Sequence, residues 1–220
     1  MDPQQRLFLE AAWDALENGG QDTSKLAGTA TGVFVGTCNV HYWDLLAATG
    51  SPDMHAALGA GTRAAITGRL SFALDVNGPG LSVDTACSSS LAAIALACQS
   101  LRAGESTAAI AGGSQVLVAN TETRGYADSG VFSAENCKFG DTGADGFVFG
   151  EGVGAVLLKP LERALADGDP VQAVIGVPFV DTPGFSRGRK RSSCGAGQGK
   201  PVRRQGGPAS TSNYRRIVVI

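Results

Sequence analysis

The residues best equipped for chemistry lie together in Asp84-Thr-Ala-Cys-Ser-Ser-Ser90. Just before them, Leu81-Ser82-Val83 is a short apolar run that reads as a buried strand entering a tight turn. After them, apolar residues at 91, 94, 95, 98 and 101 set a helical period, with Ser88, Ser89 and Ser90 as N-cap candidates. Cys87 therefore falls where strand gives way to helix. A thiol there meets backbone N–H groups with no partner inside the helix, and it sits at the positive end of the helix dipole. Both effects favour the thiolate, the form that attacks carbonyl carbon. The plainer reading of a lone cysteine is a small buried filler. The succession of strand, turn, cysteine, serine cap and apolar helix favours a nucleophile on an elbow.

Other candidates carry less. His41 and His55, the only histidines, fall in a polar, loop-rich stretch without a strand end or carboxylate to orient them, so both read as surface or loop residues. Arg69 reads as a solvated or structural ion-pair arginine rather than a substrate clamp. Gly150-Glu-Gly-Val-Gly-Ala155 formally fits a dinucleotide fingerprint, but that fingerprint must open a helix and Val153-Gly-Ala-Val-Leu-Leu158 is β-like. A tight β-connection is the better assignment, with Glu151 as a buried carboxylate in structural use. The five cysteines (38, 87, 98, 137 and 194) are scattered, odd in number and without metal-ligand spacing. They point to a reducing, cytoplasmic setting, with no disulfide framework, no metal and no bound cofactor expected. Asp2, Arg6, Glu10 and Asp14 break up the N-terminus where a secretory signal needs an apolar core. The longest apolar run, Leu91 to Cys98, is too short to cross a bilayer, so no membrane association is expected.

The elements that must hold Cys87 alternate between helix and strand. Residues 3–18 form an amphipathic helix stopped by Gly19-Gly20, and Thr31 to Gly36 a strand with glycine near each end. Tyr42 to Ala48 is a short helix. Thr62 to Leu74 is a second, with Ala64, Ala65, Ile66, Leu70 and Phe72 as its apolar positions, expected to pack beneath the elbow. Ala108 to Gly113 is a strand of small residues that lets sheet and helix backbones approach closely. Polar, turn-rich residues 122–146 follow, with Phe132, Cys137 and Phe139 as anchors. Two strand patterns at 147–149 and 154–158, a helix at 160–166 and a strand at 171–175 complete the series. Connections too long for hairpins make this an α/β fold.

Asp84-Thr-Ala-Cys-Ser-Ser-Ser90 resembles the active-site signature of β-ketoacyl synthases, above all the ketosynthase domains of modular polyketide synthases. Met1-Asp-Pro-Gln-Gln-Arg-Leu7, Gly68-Arg-Leu-Ser71, Gly78-Pro79, Leu101-Arg-Ala-Gly-Glu105, Ala111-Gly-Gly113, Asp145-Gly-Phe-Val148, Gly150-Glu-Gly152 and Leu157-Leu-Lys-Pro-Leu161 match in the same order, over about residues 1 to 175. The resemblance implies the N-terminal half of the thiolase-like layered α-β-α-β-α fold. It also implies a transferase in which Cys87 takes an acyl chain from the phosphopantetheine arm of an acyl carrier protein. Decarboxylative condensation with a malonyl-type thioester follows in the family, within a homodimer. Its two catalytic histidines have no counterpart here, since His41 and His55 precede the cysteine. By the same comparison the chain starts after the family's first strand and stops near its first catalytic histidine, so a partial domain, inactive alone, is expected. The alternatives are a non-catalytic fragment or assembly partner, which Cys87 disfavours, and another thiolase-superfamily acyltransferase, which the triple serine fits poorly.

Net charge is −2, but nine of the eighteen Lys and Arg follow residue 175, against one acid, Asp181. Body and tail thus carry −10 and +8. Residues 1–175 read as the ketosynthase-like domain and 176–220 as a basic tail outside the family pattern, disordered or read out of frame, with few contacts to the body. A nucleic-acid arm is the disfavoured reading of the same charges.

Overall fold

The structure, a computed structural model, describes residues 1–50, 59, 62–119, 124–126, 129–133, 135–138, 141–176 and 216–220. Two compact units divide the chain: residues 1–118, 151–180 and 213–220 form the first, and 119–150 with 181–212 the second.

In the first unit the helices are α1 (Pro3–Asn18), α2 (His41–Ala48), α3 (Ala64–Leu74), α4 (Ser89–Ala103) and α5 (Leu161–Asp167). Its strands are β1 (Thr31–Gly36), β2 (Gly80–Val83), β3 (Ala108–Gln115), β4 (Gly152–Pro160), β5 (Ala173–Ile175) and β6 (Ile217–Val219). They make one sheet in the order β2-β1-β3-β4-β6-β5. β1 runs parallel to both β2 and β3, whereas β4, β6 and β5 join antiparallel. Strand alternation sends successive side chains to opposite faces, and each face is covered by helix. Val33, Val35 and Ile110 meet Phe8, Ala12 and Leu16 of α1 and Ile66, Leu70 and Leu74 of α3. Phe34, Ala109 and Ala111 meet Ala93, Ala97, Cys98 and Leu101 of α4. β1, central and buried along its whole length, holds the two layers together.

Helix ends follow the sequence. Asp2 caps α1 by accepting the Gln4 N–H at 2.8 Å, with Pro3 in the first turn. Gly104 ends α4 in the left-handed conformation at φ 78°. β4 runs unbroken from Gly152 to Pro160, so Gly150-Glu-Gly152 leads into a strand and not into a helix. Residues 147–149, expected as a strand, contribute only an isolated bridge from Phe147 to Phe132.

Several expectations change. Phe72 is 89% exposed and Leu91 60%, because the buried stripes run through 66, 70 and 74 on α3 and through 93, 97 and 101 on α4. α3 packs across the sheet from α4 rather than under it. The tail expectation fails at its last residues: β6 pairs with β4 and β5, and Ile217, Val218 and Ile220 are buried. An Ile-Val-Val-Ile run is a strong strand former, and burial outweighs the basic composition ahead of it. Residues 177–215 lie outside the described ones.

In the second unit, Tyr126, Phe132, Phe147 and Phe149 stack at tilted or edge-to-face angles with centroids 5.2–5.9 Å apart. Phe132 is the anchor expected of it, and Phe139 lies outside the described residues. Cys137 is disulfide-bonded, a bond that the odd, scattered cysteines did not foretell.

Candidate active site

Cys87 is exposed, on the turn that joins the C-terminal end of β2 to the N-terminus of α4. In parallel sheets such turns form the edge on which ligands bind. The turn is tight. Ala86, the residue before the cysteine, has φ 55°, a left-handed conformation that an alanine rarely adopts. The surroundings hold it there: the Ala86 N–H donates to Asp84 Oδ1 at 3.1 Å, and its carbonyl accepts from the Ser89 hydroxyl at 2.6 Å. Strained backbone immediately before an exposed thiol, at a strand-to-helix turn, is the geometry of an elbow.

The serines do not work as expected. Ser88 occupies the N-cap position, but its hydroxyl makes no cap bond. It turns back to the Thr85 carbonyl at 2.8 Å and meets the Thr85 hydroxyl at 2.8 Å. Ser89 likewise accepts the Thr85 N–H at 2.9 Å. Both hydroxyls stabilise the turn, and the Ser88 hydroxyl leaves the first-turn N–H groups of α4 to other acceptors.

Two glycines let the turn sit where it does. A Cβ on Gly36, at the end of β1, would fall inside the backbone of Ser89 and Ser90. One on Gly113, in β3, would come within 2.7 Å of Ser90 Cβ. The helix N-terminus thus rests directly on two strand ends, and the small-residue strand at 108–113 serves the close approach expected of it. In the sequence, Asp84 and Ala86 have a place in the Asp84–Ser90 stretch and Gly36 a place at a strand end, but no role in holding the turn. The Gly at the end of the Thr31–Gly36 pattern was the one available signal.

The remaining candidates lie elsewhere. His41 is buried at the start of α2, not on the surface as expected. His55 falls outside the described residues. Glu151 is exposed rather than buried, and its Oε1 accepts the Leu117 N–H at 2.6 Å, a structural use. Arg69 is half-buried on α3, beside an apolar cleft lined by Met1, Leu9, Ala65, Gly68 and Phe72. Cys98 is fully buried on the sheet-facing side of α4, and burial pushes its thiol pKa up. Among the described residues no group of His, Cys, Asp or Glu could hold a metal ion, and no helix is long and apolar enough to cross a membrane.

Residues 1–164 match the family model described as "Beta-ketoacyl synthase, N-terminal domain". The chain belongs to the β-ketoacyl synthase family. It is similar to a phenolphthiocerol/phthiocerol polyketide synthase of Mycobacterium tuberculosis, 47% identical over 189 residues, which are 86% of this chain and 10% of the relative. It is also similar to 6-methylsalicylic acid synthase of Penicillium terrestre, 44% identical over 190 residues, 86% of this chain and 11% of the relative. Both relatives are far longer, and the chain spans about a tenth of their length. Among solved structures, the ketosynthase from module 6 of the Bacillus subtilis bacillaene synthase matches with a TM-score of 0.69 and 35% identity, over 77% of this chain and 28% of that one. The oxazolomycin ketosynthase domain of Streptomyces albus matches with a TM-score of 0.68 and 37% identity, over 79% and 30%. The fold is accordingly the N-terminal half of the thiolase-like ketosynthase fold, and the family is one of acyltransferases.

Proposed function

We propose that the chain is the acyl-accepting part of a polyketide ketosynthase, with Cys87 as its nucleophile. The single observation that carries this reading is an exposed thiol directly after a left-handed residue, at the mouth of a strand-to-helix turn. The Cys87 sulfur attacks the carbonyl carbon of an acyl thioester borne on the phosphopantetheine of an acyl carrier protein. A tetrahedral oxyanion forms, stabilised by backbone N–H groups, of which the family template assigns one to Cys87 itself. The carbon–sulfur bond to pantetheine then breaks, and the proton that left the Cys87 thiol ends on the departing pantetheine thiol. Condensation of the bound acyl group with a malonyl-type extender is the family's next step. It calls for donors that stabilise an enolate, each worth about 10²–10³ in rate. Neither His41 nor His55 is assigned that task, so the 220-residue chain accepts acyl groups without condensing them. A second copy is the proposed partner along β2, which forms one edge of the sheet.

The test incubates the purified chain with an acyl-carrier thioester and a malonyl-carrier thioester, followed by intact mass. One acyl group on the wild type, none on Cys87→Ala, and no carbon dioxide or β-ketoacyl product is the result expected. Label that persists on Cys87→Ala removes Cys87 from its role, and a β-ketoacyl product removes the division of labour.

A further inference from the structure

Arg63, at the N-cap position of α3, reaches across the strand ends to the Cys87 turn. Its Nη2 donates to the Cys38 carbonyl at 2.8 Å, in the loop after β1. The same nitrogen lies 3.3 Å from Asp84 Oδ2, in the loop after β2. The Arg63 carbonyl in turn accepts from the Ser82 hydroxyl at 2.8 Å, so backbone and side chain of one residue both fix the end of β2. The other oxygen of the Asp84 carboxylate, Oδ1, accepts the N–H of Ala86 at 3.1 Å. One carboxylate thus links a guanidinium anchored on a neighbouring loop to the single left-handed residue that aims Cys87.

We propose that the Arg63–Asp84 pair is a positioning device for the nucleophile: it holds the Asp84 carboxylate in the orientation that keeps Ala86 left-handed and Cys87 presented. The physical need is plain. Nothing in an alanine side chain favours φ 55°, so that conformation persists only while its hydrogen bonds are held in place. A freely rotating Asp84 would share its oxygens with water. Fixed at its second oxygen by Arg63, it presents Oδ1 to Ala86 permanently. Both side chains are about two-fifths exposed, so the pair adds little to global stability as a surface ion pair, and its effect is local. Both residues act through the Ala86 turn and not on the reacting atoms, so both are positioning residues.

This inference deepens the reading of Cys87 as a nucleophile, and its test is kept separate from acyl transfer. The rate of Cys87 alkylation by iodoacetamide is measured site by site by mass spectrometry, with buried Cys98 as an internal report on folding. Exchange of the Ala86 amide is followed alongside. Asp84→Ala and Arg63→Ala should slow Cys87 alkylation by about tenfold and speed Ala86 exchange, with Cys98 still protected. Asp84→Asn, which keeps an acceptor for the Ala86 N–H, should lie between wild type and Asp84→Ala. Arg63→Lys should restore most of the rate lost in Arg63→Ala. Unchanged alkylation and exchange in Arg63→Ala overturn the proposal, as does equal slowing by Asp84→Asn and Asp84→Ala. A chain that fails to accept acyl groups yet shows this graded series keeps the positioning device and loses the acyl-transfer reading.

Discussion

Gly36 shows how much of the elbow is decided by atoms that are not there. Its missing Cβ leaves the space in which the backbone of Ser89 and Ser90 lies, and no side-chain rotation could relieve a clash with backbone. Gly36→Ala should therefore cost about 1–3 kcal/mol, the range for overpacking, and shift the start of α4 enough to slow Cys87 alkylation. Thermal unfolding and alkylation rates measured together check it. Gly68 supplies the control: it lies within α3 with nothing within 4 Å of an added Cβ. Gly68→Ala should stabilise by about 0.5–1 kcal/mol through helix propensity and leave Cys87 unaffected. The contrast of the two thiols is also a residue-scale matter. Cys87 is exposed and Cys98 is sealed between α4, to which it belongs, and the sheet, with its pKa raised by burial. An alkylating agent should therefore take Cys87 first and reach Cys98 only on unfolding. The sequence marked Cys87 through its strand, turn and serines, yet it could not mark Asp84 or Arg63. Their roles come from two loops that meet only once β1 and β2 pair.

Periodicity placed α1, β1, β2, α4 and β3 within a residue or two. Of these, α1, β1, α4 and β3 bury a stripe or both faces, whereas β2, expected as a buried strand, leaves Leu81 exposed and Ser82 and Val83 half-buried because it lies at the sheet edge. Periodicity misassigned Leu91 and Phe72 for a physical reason. On α4 the sheet takes small residues, Ala93 and Ala97, and leaves Leu91 outside the stripe. On α3 the stripe runs through Ile66, Leu70 and Leu74, and Phe72, two residues from Leu70, falls on the opposite face. At β4 the sequence hid a different feature. Lys159 is 6% exposed, and its Nζ lies 2.6 Å from Asp167 and 2.5 Å from Asp169, while Gln21 of the α1–β1 connection donates to Asp169 at 2.8 Å. A lysine in a strand pattern gives no sign that its partners wait at the end of the next helix and just beyond it. Asp169→Ala should cost about 3 kcal/mol, since it removes one of the two carboxylates around a buried charge. The Asp167 carboxyl is held below its ordinary pKa, first by the hydrogen bond from Lys159 and then by the charges of Lys159 and Arg163. A carboxyl lowered in this way stabilises the folded chain above the unfolded-state value of about 3.9 and loses that contribution as pH falls through the lower folded-state value. Melting temperatures followed through acid should therefore fall less steeply in Asp167→Asn than in the wild type. An identical acid limb in the two proteins would remove Asp167 from the acid response.

At the scale of the whole molecule, the sheet has two ends with different fates. β2 is an edge strand with Leu81 46% exposed, an arrangement that invites pairing with another strand. If a second copy pairs there, Leu81→Lys should shift the chain toward monomer in sedimentation, with Cys87 alkylation unchanged in the monomer fraction. Toward the far end, β5 forms the other edge and β6 is the internal strand that joins it to the sheet. β6 lies between β4 and β5, paired to Leu158–Pro160 on one side and to Ala173–Ile175 on the other. Its side chains divide between the two layers, Ile217 joining the α4 face and Val218 the α1 and α3 face. Ile220 completes the seam through its N–H to the Leu157 carbonyl at 3.0 Å. Composition hid this, because four apolar residues at the end of a basic, glycine-rich stretch look like an appendage. The sheet reads them as a central strand. Deletion of residues 217–220 should then strip about 2 kcal/mol for each buried Ile or Val and leave the facing edges of β4 and β5 unpaired. Urea denaturation should show the truncated chain with a lower midpoint, and a dye that binds exposed apolar surface should mark it before unfolding. Because Leu158 and Ile217 share the core layer of Cys98 and Phe34, the loss should reach α4, and Cys98 should become open to alkylation. A truncated chain with unchanged midpoint and a protected Cys98 would instead show that β4 and the helices close the sheet without β6.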